Sequence, residues 1–230
     1  HEYREQGMAA NDKGEDGKLP DQNEIQEALK HGGADQIRIE GKTIHFTDPG
    51  IKLDLGGIAK GYTAQKTKEE LQEAGLDNGF INAGGNVVLI GGKKNNEPWK
   101  IGIQNPDASG SLIVVEIQDD ISIVTSGDYQ RYYTSDGKRI SHIIDIDTGY
   151  PVEIARSVTV LAEDSGKADA YSTCLFCLDY QQGKKLAKKL QIDAIWIFDK
   201  DKAPSEKPLM KTGNYYIYAT DSISEQISLP

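Results

Sequence analysis

Short runs in which apolar and polar residues alternate recur along most of this chain, and that pattern predicts β-strands. Two pairs of runs surround turn residues in the manner of β-hairpins. The first pair, 37–39 and 43–46, flanks Glu40-Gly41-Lys42, and the second flanks Ser135-Asp136-Gly137-Lys138. Other strand-sized runs are 87–90, 99–104, 112–117, 121–125, 139–145, 157–162, 194–198 and 215–219.

Helical spacing of apolar residues appears in four segments. One follows the paired glycines Gly56 and Gly57, continues through Ala64 and Leu71, and ends at Gly75. The others are 23–30, 165–178 and 182–190. Because a few helices separate blocks of hairpin-forming strands, the order predicts an α+β fold in which a mostly antiparallel sheet packs with helices, rather than a doubly wound parallel sheet.

The stretch 51–62 combines several of these signals. An alternating run, 51–55, leads into Gly56-Gly57 and then into the helix, so we expect a strand, a glycine turn and a helix start in that order. Backbone N–H groups at such a helix start can bind an anion, and Lys60 would lie in the first turn beside it. The spacing matches neither of the common glycine-rich phosphate motifs, and an ordinary strand-to-helix turn also fits the sequence.

Composition sets the domain organisation. Residues 1–20 are polar and lack periodicity, which predicts a linker or loose segment ahead of one domain at 21–230. The first residue is His1 rather than Met and no signal peptide is recognisable, so we expect a fragment or a processed form. The longest apolar runs are strand-sized and too short to span a bilayer.

Charge excludes some partners. Lys and Arg number 26, Asp and Glu number 36, and the formal net charge is −10. Nucleic acids and anionic membranes favour basic faces, so this balance argues against both. An acidic chain that handled a phosphorylated ligand would need local positive charge or a divalent metal.

Three positions are candidates for chemistry. Asp169 and Thr173 are four residues apart on a predicted helix, so their oxygens face the same way and suit a hard cation such as Mg²⁺. The same two residues would also fit as a helix-start acid and a packed threonine. His142 lies in a predicted strand whose alternation places it on one face with Ile144, and a structural role for it is equally open. Cys174 and Cys177, a C-x-x-C pair without redox context, are expected to pack in the core.

Five segments, taken together and in order, resemble the ApbE family of FAD:protein FMN transferases. They are 54–62, 82–86 (Asn-Ala-Gly-Gly-Asn), 125–133, 141–151 (Ser-His-Ile-Ile-Asp onwards) and 168–173. The resemblance covers about residues 20–220. It implies a T-fold-like α+β core that binds FAD with Mg²⁺. It also implies transfer of FMN from FAD to a Thr or Ser hydroxyl of an acceptor protein, with release of AMP.

The resemblance also implies residue roles. Asp54, Lys60 and Ile144 would contact FAD, and His142 matches the family's proposed catalytic histidine. The metal would be held by the Gly57 carbonyl, Asp169 and Thr173. Some members carry an additional acid before this threonine, where this chain has Ser172.

The family further carries an N-terminal segment, with residues that line the flavin pocket, for which this chain shows no match. Two other activities fit the same residues: FAD pyrophosphatase, which yields FMN and AMP, and a non-catalytic FAD-binding module. Bacterial members are commonly exported lipoproteins on the outer face of the cytoplasmic membrane or in the periplasm, so the resemblance implies an extracytoplasmic location.

Overall fold

The computed structural model describes residues 2–118 and 120–230. Its helices are α1 (Glu2–Asn11), α2 (Gln22–Lys30), α3 (Ala59–Glu73), α4 (Ser165–Phe176) and α5 (Tyr180–Leu190). Its strands are β1 (Ile37–Glu40), β2 (Thr43–Phe46), β3 (Gly79–Asn82), β4 (Asn86–Ile90), β5 (Trp99–Gln104), β6 (Ser111–Ile117), β7 (Ser122–Gly127), β8 (Tyr132–Ser135), β9 (Lys138–Ser141), β10 (Ser157–Ala162), β11 (Asp193–Asp199), β12 (Met210–Thr212), β13 (Tyr215–Ala219) and β14 (Ile227–Ser228). Every pairing between these strands is antiparallel, which confirms the predicted α+β class.

The chain divides into two compact units. The first contains residues up to 55 together with 132–152, and it holds α1, α2 and the hairpins β1–β2 and β8–β9. The second contains residues 56–131 and 153–230, and it holds the remaining helices and strands. Each unit uses two discontinuous stretches of chain, and the single domain expected at 21–230 stays a prediction.

The second unit is organised around a seven-stranded sheet with the order β12-β13-β11-β10-β7-β4-β3. Its central strands β10 and β11 are buried on both faces, which explains why they read as nearly continuous apolar runs. One face packs on the three-stranded sheet β14-β6-β5 through residues such as Ile123, Leu161 and Ile113. The other face packs on α4 and α5, where Tyr180 contacts Trp196 edge-on at a centroid distance of 5.3 Å.

Residues 2–11 differ from the sequence prediction, because α1 lies where we expected a loose segment. Gly7 and Gly17 leave room for the Tyr133 ring, which a β-carbon at either position would approach within 2.6 Å or less. The Asn11 amide donates to the Thr134 carbonyl at 3.2 Å and accepts from the Thr134 hydroxyl at 2.9 Å. Strand β8 lies more than 100 residues further along the chain than α1. The local spacing of apolar residues therefore could not predict these contacts.

Two predicted strands are wrong or shortened. The run 51–55 is not a strand, since Leu53 and Leu55 are more than half exposed and no neighbouring strand pairs with it in the described chain. The predicted strand 139–145 ends at Ser141, after which only an isolated bridge joins Ile144 to Pro151. Alternation alone therefore overstated both, because a strand also needs a partner for its backbone hydrogen bonds.

The prediction for the cysteines is wrong for Cys174, which is exposed. The buried face of α4 instead carries Ala168, Asp169, Ser172, Leu175 and Phe176. No helix among the described residues is long and apolar enough to cross a membrane.

Candidate functional site

The helices α3 and α4 meet at Gly61, where the two backbones approach closely. A β-carbon on Gly61 would lie 2.2 Å from the Ser165 carbonyl oxygen and 2.6 Å from the Asp169 β-carbon. The absence of a side chain also lets the Gly61 N–H donate to Asp169 Oδ2 at 2.8 Å. Asp169 is only 4% exposed, so this hydrogen bond offsets part of the cost of burying its carboxylate and fixes its orientation.

Hydroxyl groups surround the next turn of α4. Thr173 Oγ1 lies 3.3 Å from the Asp169 carbonyl oxygen, and Ser172 Oγ lies 2.9 Å from the same oxygen. On the facing strand β7, Ser126 Oγ lies 2.8 Å from Ser172 Oγ and 3.2 Å from Thr173 Oγ1. Ser126 and Ser172 are buried, so this cluster is a polar connection between β7 and α4 inside the unit.

Two further sequence-predicted residues come to the same end of the sheet. A β-carbon on Gly57 would lie 3.6 Å from Thr173 Oγ1, which places the Gly57 backbone in contact range of that hydroxyl. Lys60 Nζ donates to the Gly84 carbonyl at 3.2 Å. Gly84 and Gly85 form a turn with φ of 60° and 98°, backbone angles that favour glycine. The structure therefore brings Gly57, Lys60 and Thr173 together beside Asp169.

Asn86 adds an unsatisfied polar group on this side of the sheet. It pairs with Val124 across β4 and β7, and Ser126 follows on the same face of β7. The Asn86 side chain is fully buried, and neither its Nδ2 nor its Oδ1 has a hydrogen-bond partner among the described residues. Buried polar groups in folded proteins are nearly always paired, so an amide left this way indicates a missing polar partner such as water or a ligand.

A divalent cation fits these donors. No group of three or more His, Cys, Asp or Glu side chains in the described chain could hold a metal, so a cation here would depend on oxygen donors of mixed type. Asp169 supplies a carboxylate, Thr173 a hydroxyl and Gly57 a carbonyl. Mg²⁺ is commonly bound by one or two carboxylates together with substrate phosphates, and this donor set is compatible with that coordination preference.

The other three predicted residues, Asp54, His142 and Ile144, belong to the first unit. Asp54 Oδ2 lies 3.4 Å from an Arg4 guanidinium nitrogen, and half of the Asp54 side chain is exposed. His142 is partly exposed between the buried residues Ser141 and Ile143, and Ile144 is exposed, as the predicted alternation of faces requires. Their participation in one site with Asp169 stays a prediction.

A tight turn follows His142 and Ile144 in the first unit. The Asp145 side chain accepts from the backbone N–H groups of Asp147 at 2.8 Å and of Thr148 at 3.0 Å. These hydrogen bonds hold the pKa of the Asp145 carboxyl below its ordinary value. Gly149, with φ of 75°, returns the chain so that its N–H donates to the Asp145 carbonyl at 2.8 Å.

Sequence reasoning missed three residues of this site: Gly61, Ser126 and Asn86. A glycine inside a predicted helix is a signal for close packing, and Gly61 could have been found that way. Ser126 and Asn86 lie within the segments 125–133 and 82–86 that carry the family resemblance, but the resemblance implies no role for either residue. Their roles depend on which face of the sheet α4 packs against, and the sequence does not specify that face.

The comparison with known proteins decides the family. The sequence profile of the ApbE family matches residues 6–196. This chain belongs to the ApbE family. Its family segment thus begins inside α1, ahead of the boundary predicted at residue 20.

Curated relatives of this ApbE-family chain include two named FAD:protein FMN transferase. The one from Klebsiella pneumoniae (strain 342) is 35% identical over 184 residues, which cover 78% of this chain and 56% of the relative. The one from Treponema pallidum (strain Nichols) is 34% identical over 199 residues, which cover 78% and 55%. The chain therefore spans about half the length of the curated relatives it matches.

Solved structures confirm the fold. The flavin transferase ApbE from Vibrio cholerae superposes with a TM-score of 0.76 at 31% identity, covering 91% of this chain and 63% of that one. The ApbE protein from Thermotoga maritima gives 0.73 at 35% identity, covering 78% and 59%. The predicted α+β core of the ApbE type is confirmed by these similarities.

Proposed function

We propose that this chain contributes to an Mg²⁺-dependent transfer of FMN from FAD onto a Thr or Ser hydroxyl of an acceptor protein, with release of AMP. The observation that supports this most directly is the convergence of Gly57, Lys60, Asp169 and Thr173 at one end of the second unit. The relatives' name, FAD:protein FMN transferase, supplies the reaction, the donor FAD and the protein acceptor.

The electrostatics support a pyrophosphate ligand at this end. Lys60 Nζ donates to the Gly84 carbonyl oxygen, so at this contact its charge meets a neutral dipole. A bound Mg²⁺ would neutralise charge on the two phosphates, and it would be held by Asp169, Thr173 and the Gly57 carbonyl. Lys60 would add a second positive charge in a protein whose net charge is −10.

The proposed reaction balances as a simple phosphoryl substitution. The acceptor hydroxyl oxygen forms a bond to the phosphorus of the FMN half, and the bond from that phosphorus to the bridging oxygen breaks, so AMP leaves with that oxygen. The hydroxyl proton passes to a base, and His142 is the proposed base because an imidazole titrates near neutral pH. Asp54 and Ile144 are proposed to contact FAD.

The test mixes the full chain with FAD, MgCl₂ and a purified acceptor protein, and follows AMP release and covalent flavin fluorescence in a denaturing gel. Lys60→Met should lower the rate at least about 100-fold, since removing one preorganised charge contact commonly costs that much. Lys66→Met is the matched control, because Lys66 lies on the same helix but pairs with Glu69 at its exposed surface. Equal rates in both variants would refute the role of Lys60.

Two other activities appear as distinct outcomes of the same assay. Release of free FMN and AMP without acceptor would identify an FAD pyrophosphatase, with water in place of the hydroxyl. Tight FAD binding without AMP would identify a non-catalytic FAD-binding module. Asp169→Asn keeps the side-chain shape and removes the charge, so it should abolish AMP release under both enzyme activities, and unchanged release would refute the metal assignment.

We also propose an extracytoplasmic location, as a lipoprotein at the outer face of the cytoplasmic membrane or in the periplasm. The support for it is the family resemblance alone. Fractionation of cells that express the complete natural gene, with detection in the membrane and periplasmic fractions, tests it. Recovery in the cytoplasmic fraction would refute it.

A further inference from the structure

The C-x-x-C pair at the end of α4 has no role in the proposed function. Both cysteines are thiols, and Cys174 is exposed whereas Cys177 is half-buried. Leu175 and Phe176, the two residues between them, are fully buried in the core. Because residues three apart lie on one side of a helix, the two thiols share the side of α4 that faces away from its buried residues. A reagent in solvent can therefore reach Cys174 beside Cys177.

Helix geometry sets the distance between the two cysteines. Helix α4 is regular up to Phe176, and Cys177 follows as its C-cap with φ of −81° and ψ of −7°. The Cys177 N–H donates to the carbonyl oxygens of Thr173 and Cys174, each at 3.2 Å, so the turn between the cysteines is closed. In such a turn the α-carbons of residues three apart are about 5 Å apart. Disulfides join α-carbons that are about 4.4–6.8 Å apart, so the backbone spacing is suitable.

A small movement would bring this turn to disulfide geometry. Facing β-carbons on a helix are about 5–6 Å apart, whereas those of a disulfide are about 3.5–4.5 Å apart, so the turn must close by about 1 Å. Leu175 and Phe176 are held in the core, and residues 178 and 179 are neither helix nor strand. We therefore expect Cys177 to move. The strain makes such a disulfide easier to reduce, so the modification should be reversible.

The position of the pair at the C-terminal end of α4 distinguishes it from a redox-catalytic C-x-x-C. Catalytic pairs commonly lie at a helix N-terminus, where backbone N–H groups stabilise the attacking thiolate. The carbonyl end of a helix disfavours a thiolate, and partial burial also raises the pKa of the Cys174 thiol. The pair thus lacks an activated nucleophile, and it is suited to being oxidised by another disulfide rather than to oxidising other proteins.

We propose that Cys174 and Cys177 are a modification site at which thiol–disulfide exchange forms an intrahelical disulfide that closes the last turn of α4. The Cys174 thiolate attacks a sulfur of a disulfide oxidant, which forms a mixed disulfide and releases one thiolate. The Cys177 thiolate then attacks Cys174 Sγ and displaces the other half of the oxidant. The protein loses two electrons and two protons, and the oxidant takes them up as two thiols.

The modification is independent of FMN transfer, because neither FAD nor a metal takes part in it. Disulfides persist in oxidising compartments such as the periplasm, so the bridge would be retained at the proposed extracytoplasmic location. A cytoplasmic location would keep both thiols reduced in the cell without changing the exchange reaction of the purified chain.

The test incubates the full chain with oxidised glutathione and follows its intact mass in the absence of reductant. The wild-type chain should become lighter by two hydrogen atoms and retain no glutathione, and dithiothreitol should restore the original mass. The tryptic peptide 168–184 contains both cysteines and should carry the whole mass loss. A retained glutathione adduct, or a disulfide between two copies of the chain, would overturn the proposal.

Cys177→Ser and Cys174→Ser are the matched variants. Cys177→Ser keeps the exposed thiol but removes the thiol that resolves the mixed disulfide, so it should accumulate one glutathione adduct that the wild-type chain does not retain. Cys174→Ser keeps only the half-buried thiol and should form its adduct more slowly. Equal amounts of adduct in the wild-type chain and in Cys177→Ser would refute the resolving role of Cys177 and the proposal with it.

The structural effect of the disulfide should be confined to the last turn of α4. The backbone amide chemical shifts of Cys177 and Leu178 should change on oxidation, because the end of the helix moves. The Gly61 amide, which donates to Asp169 Oδ2, should keep its shift. Unchanged shifts at Cys177 and Leu178 in the oxidised chain would contradict closure of the turn, and an equally large change at Gly61 would contradict its confinement there.

Discussion

Gly61→Ala should destabilise the protein, although the same substitution in most helices is favourable. Alanine has the higher helix propensity, and replacing a glycine inside a helix normally gains about 1 kcal/mol. At Gly61 the new β-carbon would lie 2.2 Å from the Ser165 carbonyl oxygen, and backbone cannot rotate out of the way as a flexible side chain would. The helices α3 and α4 would have to separate.

The expected magnitude combines two losses with that gain. Overpacking typically costs about 1–3 kcal/mol. Separation also weakens the hydrogen bond from the Gly61 N–H to the buried Asp169 carboxylate, and a hydrogen bond to a charged group contributes about 1.5–3 kcal/mol. We expect a net destabilisation of about 2–4 kcal/mol. For a protein of this length that corresponds to a fall in Tm of about 5–15 °C.

The assay is thermal unfolding by circular dichroism, paired with a second helical glycine as the control. A β-carbon on Gly183 in α5 would lie 3.4 Å from Trp196 Nε1 and 3.7 Å from a Leu175 methyl carbon, which is ordinary van der Waals contact. Gly183→Ala should therefore leave Tm unchanged or raise it. If Gly61→Ala melted at or above the wild-type temperature, the close approach of α3 to α4 at Gly61 would be refuted, and with it the placement of Asp169.

Two further predictions concern charge. Arg156 donates to Asp107 at 2.8 Å and lies 2.9 Å from Asp128 and 3.3 Å from Asp199. Arg156→Met should lower the free energy of unfolding, measured by urea denaturation, by about 2–4 kcal/mol, a figure reduced because the carboxylates are partly exposed. A decrease of less than about 0.5 kcal/mol would contradict this prediction. Because the pKa of Asp145 is lowered in the folded state, its turn should be intact at neutral pH and loosen as the pH falls through that lowered pKa. The chemical shifts of the backbone amides that Asp145 accepts from should follow that titration, and shifts that titrate above pH 5 would contradict it.

The elements that could be predicted from the sequence are those with local signals. The β8–β9 hairpin carries Asp136 and Gly137, both with positive φ, at its turn, and α3 ends before Gly75 as predicted. The helix α1 could not be predicted because it is held by Thr134 and Tyr133, far away in the chain. The run 51–55 has the alternation of apolar and polar residues that predicts a strand. It is not a strand, because its apolar residues face solvent instead of packing on a neighbouring element.

The same distinction applies to the site. Asp169 and Thr173 could be predicted as neighbours because helical geometry alone places residues four apart on one face. Gly61 and Ser126 reach that pair across 108 and 47 residues of sequence, and only the packing of α4 against α3 and β7 creates those contacts. A single sequence therefore reveals candidate ligands that share an element more readily than the residues that contact them from other elements.

The distribution of charge is compatible with the proposed pyrophosphate site in so acidic a chain. The carboxylates of Asp107, Asp128 and Asp199 converge on Arg156, which neutralises part of their charge. Around Asp169 the close partners are neutral: the Gly61 N–H and the hydroxyls bonded to its carbonyl oxygen. The position where some family members carry a further acid is occupied by a buried serine hydroxyl. A single carboxylate with Lys60 nearby repels a pyrophosphate far less than a cluster of acids would, so the net charge of the whole chain is a poor guide to the charge at this site.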